Sequence, residues 1–224
     1  MRRTIAENRV FFTCFICYFL LGGLLLLSIE HGDSILFFSD QRNAWTDAFF
    51  RYWTHLSEVP MYGLLALILL FIRIRHSLFT ITVGIGAAVI SLGAKAFFAR
   101  NRPVSFFQEI DLFDRITLVD GYGLSELYTG ATSFPSGHTL SAFALYGYLA
   151  FIAPRKGWFG AFLFHVALLV GLSRIYLVQH FLEDVYVGAL LGTLLAMGIY
   201  GTQQRIPSEP QRWWEGRLMG RGKR

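Results

Sequence analysis

Charge is scarce in this chain of 224 residues. Asp, Glu, Lys and Arg make up 16% of it, against about 25% in an ordinary soluble domain. Cysteine is scarcer still. Cys14 and Cys17 stand three apart inside an apolar run, where a helix separates their side chains too awkwardly for an ordinary disulfide, so no disulfide framework holds the fold. Two readings of the pair are open, a C-x-x-C redox centre and two small apolar residues of a membrane helix, and the second is favoured. No repeat of solenoid length is present, and no Asp/Glu cluster has the form of a magnesium site. These absences exclude a disulfide-stapled module and a repeat array.

Apolar residues are abundant instead. The hydrophobic set reaches 54%, with 22 Phe and a mean hydropathy of +0.46. Such a chain is neither disordered nor wetted on all sides, and its length suits one domain. Apolar runs recur at Val10–Ile29, Val59–Ile72, Leu78–Ala99, Thr139–Ala153, Trp158–Leu172 and Val185–Thr202. A spanning helix needs about 20 residues. The first run is that long and lacks an A-x-A-like cleavage site, so it reads as an uncleaved span. The expected fold is all-α: a polytopic six-transmembrane-helix bundle over residues 1–206, followed by a basic, flexible tail at 207–224.

Basic residues set the orientation. With the N-terminus cytoplasmic, Arg2, Arg3, Arg9, Arg73, Arg75, Arg155, Lys156 and six bases after Thr202 share the cytoplasmic side, with only Glu7, Glu209 and Glu215 among the acids. Each cytoplasmic piece is then net positive, as the positive-inside rule requires. The net charge of +5 therefore marks a membrane surface, and no nucleic-acid partner is expected. Both termini are expected in the cytoplasm of a cell whose inner (cytoplasmic) membrane holds the chain.

Two outer connections are long. In the first, Trp45, Phe49, Tyr52, Trp53 and Leu56 recur on one helical face with Asp47 and Arg51 off it. This is either an amphipathic helix on the outer leaflet or a loop helix packed on the bundle. In the second, Phe106, Phe107, Tyr122 and Tyr128 either rim a lipid entrance or anchor in the interface, the latter favoured. Gly188 and Gly192, and Gly84 and Ala88, are spaced for close helix packing. His165 falls within the fifth run and is expected to bond a neighbouring helix, and Glu183 is expected to face solvent.

Ionisable groups at span ends are costly and need a reason. Lys95 and Arg102 lie seven apart, two helical turns, with Pro103 ending the helix. They hold an anion or snorkel to headgroups. Pro135, Ser136, Gly137 and His138 open the fourth run, where a helix N-terminus offers free N–H groups to phosphate, or simply a cap beside an interfacial His. His180 and Asp184 are one turn apart. The carboxylate there either takes the imidazole Nδ1–H and frees Nε2, or forms an ordinary surface pair.

Taken together, Lys95…Arg102-Pro103, then Pro135-Ser136-Gly137-His138, then Ser173-Arg174…His180…Asp184 resemble the three-part signature of the type 2 phosphatidic acid phosphatase superfamily, which also includes vanadium haloperoxidases and bacterial acid phosphatases. All eleven specified positions agree, and the signature covers residues 95–184. The resemblance implies a lipid phosphatase of the small bacterial membrane kind, with no metal and no cofactor. It implies a phosphate clamp of Lys95, Arg102, Arg174, Ser136 and the Gly137 N–H. His180 is implied as the nucleophile, Asp184 as its orienting partner, and His138 as acid and then base. Lipid phosphate substrates follow: undecaprenyl diphosphate, phosphatidylglycerol phosphate, phosphatidic acid or lipid A. Transfer to a lipid hydroxyl, and anion or lipid transport without catalysis, are the rival readings. The patterns do not encode an oligomeric state.

Overall fold

The computed structural model describes residues 2–119, 130–154, 156–209 and 213–218. Among them there are ten α-helices and no strand. They are α1 (Arg2–Glu7), α2 (Arg9–Ser28), α3 (Asp33–Asp40), α4 (Ala44–Trp53), α5 (Val59–Ile72), α6 (Ile74–Phe98), α7 (Pro103–Glu109), α8 (Gly137–Ile152), α9 (Trp158–Tyr176) and α10 (Leu182–Arg205). The six expected apolar runs fall on α2, α5, α6, α8, α9 and α10. By length and composition, four stretches can cross a membrane: Arg9–Ser28, Ile74–Glu109, Trp158–Tyr176 and Leu182–Arg205. A fifth is added if Ala44–Ser57 and Val59–Ile72, bent by 57°, count as one broken span. The sixth, α8, has 16 residues and stands at the centre of the bundle rather than in lipid, with 11 of them buried.

The surface is apolar and the interior is close-packed, the reverse of a water-soluble protein. Leu27, Val59 and Phe97 are each more than four-fifths exposed. Such side chains belong in hydrocarbon, where exposure carries no hydrophobic penalty. Inside, Phe11, Phe143, Phe151 and Phe164 meet ring to ring and fasten α2 to α8 and α9. Cys14 and Cys17 are free thiols on α2.

Glycines govern the central contact between α8 and α10. A Cβ at Gly188 would come within 2.8 Å of the Ser136 carbonyl oxygen, and one at Gly192 would strike the Leu140 carbonyl. Only glycine admits this approach. Its consequence is that the first turn of α8 lies against the first turn of α10, where Ser136 N–H donates to the Asp184 carbonyl at 3.0 Å.

Arg73, in extended conformation, separates α5 from α6. Residues 213–218 return to this turn. Arg75 donates to Glu215 at 2.7 Å, Arg73 reaches the same carboxylate, and backbone bonds join Ile74 to Gly216 and Leu218 to Leu70. The expectation of a loose tail therefore does not extend to these six residues. Glu215 supplies the negative charge that meets the two basic residues of the α5–α6 turn. His165 also differs from expectation: it is exposed and bonds the Ala161 carbonyl of its own helix, one turn back.

Candidate active site

The chain between α9 and α10 carries the most constrained residues. Val178 has φ +57°, a left-handed conformation rarely held by a β-branched residue. The Arg174 carbonyl accepts from both Gln179 N–H (2.9 Å) and His180 N–H (3.1 Å) and secures the turn. His180 is thereby buried, 1% exposed. Its Nδ1 donates to Asp184 Oδ2 at 3.2 Å. The same oxygen accepts from Phe181 N–H at 3.0 Å and from the Ser133 hydroxyl at 2.5 Å. A carboxylate so occupied fixes the tautomer and leaves Nε2 with its lone pair. Burial, and then the positive charges of Arg174, Arg102 and Lys95, hold the His180 imidazole well below its ordinary value of 6.5. The ring is neutral.

Those three cations arrive from separate elements. Arg174 lies in the last turn of α9 and donates to Thr54 Oγ1 at 2.6 Å. Lys95 lies in the last turn of α6, with its ammonium beside Gly137. Arg102 is 5% exposed, with Nε on Thr132 Oγ1 at 3.1 Å and a terminal nitrogen on the Gln179 carbonyl at 3.3 Å. The expectation that two turns of one helix bring Lys95 and Arg102 together is corrected here. Ala99 takes a left-handed conformation (φ +44°) and ends α6 before Arg102 is reached. Arg102 is the N-cap of α7, which Pro103 opens rather than ends, because proline suits a first helical position.

Ser136 caps α8, its hydroxyl oxygen accepting from Thr139 N–H at 3.4 Å and Thr139 Oγ1 at 2.9 Å. Gly137 is the first residue of that helix, so its N–H has no partner within the helix. His138 follows, with its Nε2 3.4 Å from Glu58 Oε1. It stands at the head of a groove of about 1130 Å³ between α5 and α6. Glu58, Gly137 and His138 form the polar end, and Leu67, Leu70, Ile81 and Ile85 line the apolar length.

The fold therefore gathers Lys95, Arg102, Ser136, Gly137, His138, Arg174, His180 and Asp184 at one end of the bundle. The model of the PAP2 superfamily matches residues 75–207. The chain belongs to this superfamily. Within it, the chain is 34% identical over 88 residues to phosphatidylglycerophosphatase B of Bacillus subtilis, a match covering 36% of this chain and 43% of that protein. The chain thus spans less than half the length of that relative. The crystal structure of Aquifex aeolicus LpxE superposes with a TM-score of 0.62 at 28% identity, over 75% of this chain and 92% of that one. A transmembrane PAP2-type phosphatidylglycerolphosphate phosphatase from Bacillus subtilis superposes with a TM-score of 0.63 at 23% identity, over 88% and 98%. At that identity the likeness speaks to the PAP2 membrane fold.

Several residues at this PAP2 site carry no signal in the sequence. Thr54 and Glu58 are common polar residues in connections, and only folding brings them to the motif residues. Thr132, Ser133 and Gln179 lie beside or between motif residues, but no pattern singles them out. Two expectations nearby are corrected. Glu183 is not simply solvated: it pairs with His31 at 2.8 Å and with Arg100 at 3.8 Å. Phe107 is buried with Ile35 and Val104, and Phe106 packs on His31 and Phe181. These two rings seal α7 over the His180 turn rather than float in an interface. Tyr122 and Tyr128 lie outside the described residues. Among the described residues no three His, Cys, Asp or Glu side chains gather as a metal site.

Proposed function

We propose that this protein is a lipid phosphatase that removes phosphate from a membrane lipid headgroup through a phosphohistidine on His180. The observation that carries the reading is a buried imidazole, anchored at Nδ1 by Asp184 and ringed by three cations, beside the polar end of an apolar groove. A phosphoryl group spreads negative charge over its equatorial oxygens, so fixed positive charge and placement supply most of the catalysis. Lys95, Arg102, Arg174, the Ser136 hydroxyl and the Gly137 N–H form the clamp.

The steps balance without a cofactor. His180 Nε2 gives its lone pair to phosphorus, the bond to the leaving oxygen breaks, and that oxygen takes a proton from His138. Water then gives a proton to His138 and attacks phosphorus, the P–N bond breaks, and phosphate departs. Metal is not needed, because the clamp cations do the work a magnesium ion does elsewhere.

The groove argues for a lipid. It follows α6 from Ser91 to Ser77, about 20 Å at 1.5 Å per residue, and it is open along its side. Undecaprenyl diphosphate, phosphatidylglycerol phosphate, phosphatidic acid and lipid A are candidate substrates. The distribution of basic residues supports an inner-membrane orientation with cytoplasmic termini and a site on the outer face, and the 1–206 core forms one catalytic unit.

Phosphate release from a panel of lipid phosphates by the purified chain, with and without EDTA, tests this. Release that persists in EDTA and falls at least about a thousandfold in His180→Ala is expected. Label passing to a second lipid instead of free phosphate overturns hydrolysis in favour of transfer. Unchanged function in His180→Ala overturns the enzyme reading in favour of transport.

A further inference from the structure

Glu58 faces the site from the start of α5, and none of the motif residues depends on it in sequence. Its Oε1 stands 3.4 Å from His138 Nε2 and 2.9 Å from His55 Nδ1. The carboxylate is built in rather than adventitious. On the chain before it, the Leu56 carbonyl accepts from Tyr146 OH and the Ser57 carbonyl accepts from Ser141 Oγ, both at 2.7 Å. On the chain after it, Tyr62 OH donates to the Ser141 carbonyl at 2.9 Å. Three bonds thus hold the segment around Glu58 against the face of α8 that carries His138.

The charges around His138 explain why a carboxylate is needed there. Burial, and then the positive charge of Arg174 from α9 and of Lys95 from α6, disfavour the protonated ring, and Glu58 is the one group that opposes them; His180 lies near enough to feel its charge. Asp184 is committed to His180, Ser133 and Phe181. A proton donor in such a field loses its proton to the neighbouring cations unless an anion touches it. Hydrogen bonding to His138, followed by that to His55, holds the Glu58 carboxyl at about 2, so it is an anion throughout the neutral range. An imidazolium carries two N–H groups, and one engaged with Glu58 leaves a second to give.

We propose that Glu58 is a positioning residue that strengthens the hold of His138 on its proton against the surrounding cations and aims the ring at the leaving oxygen. This rests on the phosphohistidine reading above and deepens it toward substrate class. A lipid phosphomonoester leaves as an alkoxide and needs the proton. A lipid diphosphate leaves as a phosphate, a stable anion that departs without one. Glu58 therefore equips the site for monoesters.

The test compares wild type, Glu58→Gln and Glu58→Asp, as full chains in detergent micelles, on phosphatidic acid and on diacylglycerol diphosphate. With phosphatidic acid, Glu58→Gln is expected to lower kcat about 100-fold, the usual worth of a general acid, with KM nearly unchanged. The alkaline limb of its pH profile moves to lower pH, because a neutral amide no longer favours the protonated ring. With the diphosphate the loss stays under about tenfold, and Glu58→Asp regains most of the lost rate and the original limb. An equal loss on both lipids with an unmoved limb, or wild-type behaviour of Glu58→Gln, overturns the proposal. If wild type turns over only phosphatidic acid, the limb on that lipid decides; turnover of the diphosphate alone overturns the proposal. Phosphate release surviving in His180→Ala defeats the phosphohistidine reading itself, whatever Glu58 does.

Discussion

At the scale of single residues, the site depends on keeping one imidazole uncharged among cations. His180 is neutral because protonation would place a fourth positive charge in a buried cluster. This links stability to pH. The folded state resists protonation of His180 below its ordinary value of 6.5, whereas the unfolded chain accepts that proton. The unfolded state then binds more protons, so stability falls as pH drops below the ordinary imidazole value. Thermal midpoints of wild type in detergent should decline through that window, and those of His180→Asn should decline less. Parallel curves would mean that the ring is not held neutral. This pairing was legible in the sequence, because His180 and Asp184 are one helical turn apart. Ser133, which shares the Asp184 oxygen, was not: it lies 51 positions from Asp184, and no local period connects them.

At the scale of elements, the α8–α10 contact sets the geometry of the site. Gly188 and Gly192 bring Ser136 onto the Asp184 carbonyl, which registers the proposed clamp against the proposed nucleophile. A Cβ in Gly192→Ala would meet backbone of α8, which cannot rotate aside. The expected cost is about 1–3 kcal/mol, with phosphate release falling as the two helix starts separate. A variant with wild-type melting and activity would show that close packing there is dispensable. The glycine spacing announced this contact beforehand. The break between Lys95 and Arg102 was hidden, because Ala99 is an unremarkable residue to find in a left-handed helix end. The outer helix α4 was half legible. Its aromatic stripe is real: Trp45, Phe49 and Trp53 stack in a ladder, and Trp45 and Tyr52 are exposed. The inward side mixes polar and apolar contacts: Asp47 accepts from Tyr176 OH at 2.5 Å, Phe50 packs on Tyr176, and Trp53 and Leu56 of the stripe itself pack against the core. The stripe is divided between the outside and the bundle, which its period alone did not say.

At the scale of the whole molecule, six apolar helices and a signature spread over 90 residues were readable because hydropathy and motif order survive without coordinates. The span count by length is lower, since α8 is enclosed by its neighbours and needs no lipid-length core. The basic residues on the α5–α6 turn and the tail support the proposal that this end faces the cytoplasm, and Glu215 draws the two together. A reporter enzyme fused after the C-terminus should report from the cytoplasmic side, and one inserted near Asp40 from the opposite side. The reverse pattern would invert the topology and place the groove's polar end in the cytoplasm.

Lys95 and Arg102, the start of α8, and the His180 turn are distant in sequence, and the proposed function has them act together to put phosphorus on one nitrogen. The decisive measurement is therefore to quench the purified chain during turnover of a lipid labelled in its phosphate and map where the label sits. Acid-labile, base-stable label on His180, absent from His180→Ala, is the predicted result. Turnover without covalent label, or label on any other residue, would contradict it.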